Sequence, residues 1–507
     1  MNKKFYVTTA IPYVNAAPHV GHALEFVQTD VIARYHRLLG EDVYFLSGTD
    51  DNALKNVQAA EEKKIPVEKF VKQNSDKYYQ LKDALNLSFD DFIRTTEKRH
   101  LDGAQALWKA CKKEDIYKKI YKGLYCVGCE AFLTEKDLID GKCPEHNKEP
   151  EVVEEENYFF RLSKYQDWLE KLIASDKLAI IPETRKNEVL TFIRQGLEDF
   201  SISRTKERAH DWGIPVPGDL NQIIYVWFDA LANYITALDW QKKSKLYQKY
   251  WPADVHVIGK GITRFHAIYW PAMLKSAGIQ SPKSEFVHGY VTVEKQKISK
   301  TLGNIVDPFD LVKEYGTDPV RYYLLREIPA YGDGDFSIQR FKEVYNADLA
   351  NGFGNLVARV TTLAEKFSGG KVPPITQDPE KHPLMPTELK TWKALDRTIS
   401  EYKFNETLES IWKFISEADK YIDQTKPWEL ATKDKKQFNW VVYGLLDAIH
   451  QLAWQIYPFM PQSAREVGKR LGITKILAKN PLYKNSWTNI KPGTQIKSGP
   501  PLFPRLK

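Results

Sequence analysis

His19, Gly21 and His22 lie within four positions of one another, between an apolar run at 5–10 and a segment of helical period. Two imidazoles at a helix N-terminus can donate to the oxygens of an anion already attracted by free backbone N–H groups and the helix dipole. Gly21 lets a flat group approach the backbone there. Far along the chain, Lys297-Ile298-Ser299-Lys300-Thr301 places two ammonium groups on a loop just before Gly303. Such a pair suits the charge that builds up when a carboxylate attacks the α-phosphate of ATP. Taken alone, a histidine pair caps a helix about as often as it binds phosphate, and a lysine loop is usually solvated surface. Position joins them. One motif follows the first strand of a parallel sheet and the other follows the last, so folding brings both to one edge.

A second constellation is made of sulfur. Of four cysteines, three lie between residues 126 and 143, while Cys111 stands apart as a small buried residue. Cys126-x-x-Cys129 and Cys143-x-x-His146 have the spacing of a closed tetrahedral zinc site with a structural role. A redox dithiol fits poorly, because the second pair supplies a histidine.

The elements that must position these groups can be read from periodicity. Residues 5–10 form a strand candidate, and Leu24, Val27, Val31, Tyr35 and Leu38 mark a helix that Gly40 stops. The run 43–46 reads as a strand buried on both faces. Residues 223–227, 255–258 and 286–293 are strand candidates of a second α/β half, with helical segments at 230–238 and 263–277. Between the halves lies an insertion that carries the cysteines. From about residue 346 the pattern turns helical, at 349–363, 408–422 and 440–456, with a Gly- and Pro-rich loop at 368–386 and an extended tail from 485. At 507 residues several domains are expected. No apolar run reaches bilayer length and the start leaves no room for a cleaved signal, so a cytoplasmic protein is expected. The balance of 73 basic against 66 acidic residues gives +7, which permits a polyanionic partner without requiring one.

The two nucleotide motifs together resemble those of class I aminoacyl-tRNA synthetases, with His19–His22 matching the HIGH motif and Lys297–Thr301 the KMSKS motif. Threonine replaces the last serine of the latter. The resemblance narrows to the methionyl branch through 10–15, 226–231 with Tyr234, 264–266 and 270–273. It implies an α/β fold: a Rossmann-like parallel-sheet catalytic domain (1–116 and 218–290), split by a zinc-containing connective insertion (117–217). A KMSKS and stem-contact region (291–345) follows, then an all-α anticodon-binding bundle with a C-terminal tail (346–507). The implied catalytic residues are His19, His22, Lys297 and Lys300, with Gly21, Glu25 and His288 also at the ATP. The implied methionine pocket is Ile11, Tyr13, Asp50, Trp227, Leu231, Tyr234, Phe265 and His266. Aromatic rings suit a thioether, and a free ammonium needs a carboxylate such as Asp50. Asn355 and Arg359, four apart on a helix, with Pro427 and Trp428, are implied to read the anticodon of tRNA(Met). Magnesium with ATP, structural zinc and a monomer without a further C-terminal domain complete the expectation.

Two departures stand against the resemblance. The branch usually has Glu-His-Gly where this chain has Asp51-Asn52-Ala53, and an aspartate where it has Gly261. They motivate a rival reading, a tRNA-binding relative with impaired catalysis.

Overall fold

The computed structural model describes residues 3–128, 131–133, 135–144, 147–297, 303–479 and 490–507. Strand β1 (Lys4–Thr9), helix α1 (Val20–Leu38) and strand β2 (Asp42–Thr49) form the expected βαβ unit. β3 (Asp91–Arg94), β4 (Ala179–Ile181), β5 (Val255–Gly259) and β6 (Ser284–His288) complete a parallel sheet in the order β3-β2-β1-β5-β6-β4. β4 comes from within the stretch read as an insertion; its three residues pair with Ser284, Glu285 and Phe286.

Side chains alternate across this sheet and feed two cores. Phe5, Val7, Phe45, Val257 and Phe286 pack on one side with α1 and with the C-terminal helices. The Phe286 ring lies 4.7 Å from that of Tyr402 and 5.9 Å from that of Phe404, so sheet and helical region share one interior. On the other side Tyr6, Leu46, Ile180, Ile258 and Val287 meet Trp227, Tyr234 and Trp270.

Two strand expectations need correction. Residues 223–227 are not one strand: the strand Asp219–Ile224 ends before Trp227, which lies on the helix Val226–Leu231. Burial all round that helix gave it the apolar continuity of a buried strand. Residues 286–293 are likewise broken, at Gly289 and Tyr290. A Cβ at Gly289 would stand 2.1 Å from the Gly332 carbonyl oxygen, so the backbones touch there. Beyond this point Val291–Val293 joins a separate small sheet with Gln296–Lys297 and Gly334–Phe336.

In the insertion, Ile116–Cys126 and Glu151–Phe160 pair antiparallel along their length. The C-terminal region is helical as expected, with Gly354–Phe367, Met385–Ser400, Phe404–Thr425, Lys435–Ile456 and Pro461–Arg470. The tail runs back along it: Gln495 bridges Lys371, and the Leu506 N–H donates to Asn346 at 2.9 Å. Among the described residues no helix is long and apolar enough to cross a membrane.

Where α1 meets the C-terminal helices, charge is buried. Asp30 of α1 accepts from Arg34 Nε at 2.7 Å and lies 2.8 Å from Arg321 Nη1, with all three side chains at most 5% exposed. Its other oxygen accepts from the Ser88 N–H and hydroxyl. Arg321 also donates to the carbonyls of Phe459, Pro458 and Leu85. Burial alone would raise the Asp30 pKa, but the two guanidiniums and the Ser88 hydroxyl hold it below the ordinary value. Removing one member of such a group strands the others. We therefore expect Asp30→Asn to lose about 3–5 kcal/mol, read as a lower denaturation midpoint. Because the folded pKa is depressed, the parent's advantage is complete above the unfolded carboxyl's pKa. It fades as pH falls through the folded one. Unchanged midpoints would refute this account.

Candidate active site

The C-terminal edge of the sheet gathers the groups singled out above. His19 is the N-cap of α1, and its Nδ1 accepts from the Gly21 N–H at 3.1 Å. His22 Nδ1 in turn accepts from the His19 N–H at 3.2 Å, closing a reciprocal capping box. With both Nδ1 atoms accepting, each neutral ring carries its proton on Nε2. Burial pulls His19 down to about 4; burial and then the His19 ring pull His22 well below its usual value. The pair is a set of neutral hydrogen-bond donors. Capping and anion binding are therefore not alternatives here: one nitrogen of each ring caps and the other is left to donate, that of His22 standing 3.4 Å from the Tyr78 hydroxyl. A Cβ at Gly21 would stand 2.9 Å from the His19 ring, so a side chain there would push the ring out of place.

Glu25, one turn further on, joins the two halves of the sheet. One carboxyl oxygen accepts from the Ala10 N–H beyond β1 at 2.8 Å, and the other is 2.9 Å from His288 Nε2 at the end of β6. Lys297 closes the hairpin after β6, with its backbone paired to Thr292. Lys300 and the rest of 298–302 lie outside the described residues, as does the side chain of Lys297. The returning chain meets α1: the Val20 N–H donates to the Val306 carbonyl at 3.0 Å. Both flanks of the lysine loop thus sit at the edge that carries the histidines.

Beside them lies an aromatic pocket. Asp50, 1% exposed, follows β2 directly and pairs with Tyr13 by an isolated parallel bridge. One of its oxygens accepts from the Asn52 N–H at 3.1 Å. Ile11 packs over Gly48. Trp227 and Phe265 stack with ring centroids 3.7 Å apart, and Tyr13 meets the Trp227 ring edge-on at 6.2 Å. Leu231 is buried on the same helix as Trp227. Tyr234 donates to His266 Nε2 at 2.8 Å, while His266 Nδ1 donates to the Ile262 carbonyl at 3.0 Å. That tautomer is neutral, and burial pulls the ring down to about 4. The pocket combines flat apolar walls, one polar end and one carboxylate. It matches a small zwitterion with an apolar side chain.

The loop that departs from the resemblance is braced by residues that sequence reasoning missed. The Asn52 amide donates to Asp229 at 2.7 Å and to the Thr95 carbonyl. Asp229 also meets His100 Nε2 at 2.5 Å, and His100 Nδ1 meets the Thr236 hydroxyl. Asp51, fully buried, accepts from Arg94 and Thr96. The charged Asp229 inside an otherwise apolar 226–231 was the one available signal. Gly261 has a partner too: a Cβ there would stand 2.0 Å from the Tyr290 hydroxyl.

At the other sites, Cys126 and Cys143 are buried in the insertion, while Cys129 and His146 lie outside the described residues. Cys111 is buried as expected and packs near the Met273 carbonyl; burial pushes its thiol up to about 12. Asn355 and Arg359 project from Gly354–Phe367; Asn355 is exposed, and Arg359 donates to Asp419 at 3.0 Å and Asp423 at 2.5 Å. Pro427 opens the helix Pro427–Lys433 and is buried, but Trp428 beside it is 43% exposed.

The family model of class I tRNA synthetases (M) matches residues 5–150 and 136–361. A methionine--tRNA ligase of Thermotoga maritima is 42% identical over 510 residues, covering 99% of this chain and 80% of the relative. One from Rickettsia bellii is 43% identical and covers 93% of each. The structure of Mycobacterium tuberculosis methionyl-tRNA synthetase in complex with methionyl-adenylate superposes with a TM-score of 0.93 at 40% identity, over 99% of this chain and all of that one. With neutral histidine donors, a carboxylate-ended aromatic pocket and an interrupted parallel sheet all in place, this chain belongs to the class I tRNA synthetases of the M type, the methionine--tRNA ligase family.

Proposed function

We propose that the chain joins L-methionine to tRNA(Met) in two steps. Methionine and ATP give methionyl-adenylate and pyrophosphate, and the methionyl group then passes to the 3′ end of the tRNA. The observation that carries this reading is the aromatic pocket ending in Asp50 beside the capped histidine pair. The methionine ammonium would pair with Asp50, and its side chain would lie among Ile11, Tyr13, Trp227, Leu231 and Phe265. The Tyr234–His266 pair would orient the sulfur. This leaves the carboxylate facing the α-phosphate, near the His19 and His22 Nε2–H donors. Donors placed where charge develops stabilise the transition state without reorganising. Lys297 and Lys300 would add positive charge to the departing pyrophosphate, with Mg2+ carried in on the ATP.

Glu25 fits a positioning role in this scheme, because both of its oxygens already hold protein groups. The Asn52–Asp229 contact bears on the rival reading. A loop fixed by buried hydrogen bonds keeps the Asp50 carboxylate in place without the residues the resemblance would put there.

The structural part of the proposal is the division into a split catalytic domain, a connective insertion, a stem-contact region and an anticodon-binding bundle. In the insertion the donor set suits zinc, since two thiols 17 positions apart in sequence are both buried. With Cys129 and His146 they would close a structural site. In the bundle an exposed indole beside an arginine-bearing helix suits an unpaired base that stacks and presents its edge.

Three measurements test this. Methionine-dependent exchange of labelled pyrophosphate into ATP is expected from the pure protein, and its absence with every amino acid would select the rival reading. Trp428→Ala should weaken tRNA binding by about 1–3 kcal/mol while leaving that exchange unchanged. Equal tRNA affinity would exclude the stacking role. Metal analysis should find about one zinc per chain, and Cys126→Ser should lose it and lower the denaturation midpoint. A metal-free parent of full stability would dispose of the zinc assignment.

A further inference from the structure

Across the sheet, Leu46, Thr8, His256, Glu285 and Ile180 stand in register, so all five side chains project to the pocket side. Two of them are titratable and fully buried. His256 Nδ1 is 2.8 Å from the Thr8 hydroxyl, but its Nε2 has no hydrogen-bond partner among the described residues. Neither has either carboxyl oxygen of Glu285, nor the indole N–H of Trp270, which covers the same side. Three orphaned polar groups in one interior region are costly unless something joins them. The His256 ring is also the surface on which Tyr234 stacks, centroids 4.0 Å apart, and Tyr234 donates to His266.

We infer that Glu285 is a positioning residue for the amino-acid pocket, acting with His256 and Trp270 as one buried hydrogen-bonded group beneath Tyr234. This rests on the reading of the pocket proposed above. The three are not in direct hydrogen-bond contact, so an internal water joins them, with a carboxyl, an imidazole nitrogen and an indole N–H as its partners. The carboxyl is neutral in this arrangement. Among the described residues no cation pairs with it: its register partner on β5 is His256 and on β4 the apolar Ile180, and Tyr234 and Trp270 cover the same side. One row lower, Lys283 and Asp254 pair with each other at 2.6 Å. Burial correspondingly raises the Glu285 pKa well above its usual value and lowers that of His256. A neutral acid can donate to His256 Nε2 through the water and accept the indole proton, leaving no charge stranded. The ring under Tyr234 is then fixed, and with it the hydroxyl that orients His266.

The test compares Glu285→Val and Glu285→Gln with the parent in methionine-dependent pyrophosphate exchange. Loss of the network should raise the KM for methionine about tenfold in the valine variant, with kcat and the KM for ATP within about twofold. Glutamine, which can still donate and accept, should restore the parent KM. A methionine KM for the valine variant within about twofold of the parent would overturn the inference, as would an equal rise in the KM for ATP. Should the valine variant not fold, stability against pH decides. A folded carboxyl with a raised pKa binds its proton more tightly than the unfolded one. Parent stability therefore falls as pH rises from the unfolded pKa toward the folded one, and the glutamine variant lacks that loss. The glutamine variant should thus gain on the parent as pH rises above the unfolded carboxyl's pKa, whereas parallel curves would overturn the inference. A parent without methionine-dependent exchange would defeat the pocket reading itself, and the stability curves would still decide whether Glu285 is held neutral.

Discussion

A carboxylate with no access to water, Asp30, is tolerable only because two guanidiniums and a serine enclose it. Each contact belongs to a different part of the chain: α1, the turn before β3, the helix Thr317–Arg326, and, through Arg321, the carbonyls of Pro458 and Phe459. The helix whose first turn carries the histidines is therefore fastened to the C-terminal helices at its middle. Hydrophobic contact alone would allow these layers to slide; a charge that must find fixed partners does not. The position of the active edge relative to the helical region follows from this.

That fastening matters because the capping histidines have no freedom to spare. Each ring uses one nitrogen to cap α1, so its orientation is set by the helix and its tautomer by the capping bond. Neutral rings cost less to bury than charged ones. Glu25 ties the same turn to β6, so the two halves, separated in sequence by the insertion, meet at a side-chain junction as well as through β1 and β5.

Much of this was legible in the sequence, and the failures have identifiable causes. α1 showed through its period, and the C-terminal helices through theirs. Residues 223–227 misled because a short helix buried on every side has no polar face to mark it. The break at 289 depends on the approach of Gly332, a contact more than 40 positions away. β4 is too short to stand out, and its membership in the sheet is decided by β6. The pocket-lining positions could be named, but not the Asn52–Asp229–His100 chain, whose members are far apart in sequence. Glu285 was invisible for the opposite reason: a single acidic residue in an apolar run usually marks a solvated edge, and only the sheet order puts it inside.

Arg359 has a different bearing on how the helical region meets a polyanion. Its guanidinium is already neutralised by Asp419 and Asp423. Such a group gathers little of its own ionic atmosphere and contributes little long-range pull on a phosphate backbone. Any nucleotide it recognises must displace carboxylates, which rewards the planar edge of a base over diffuse charge.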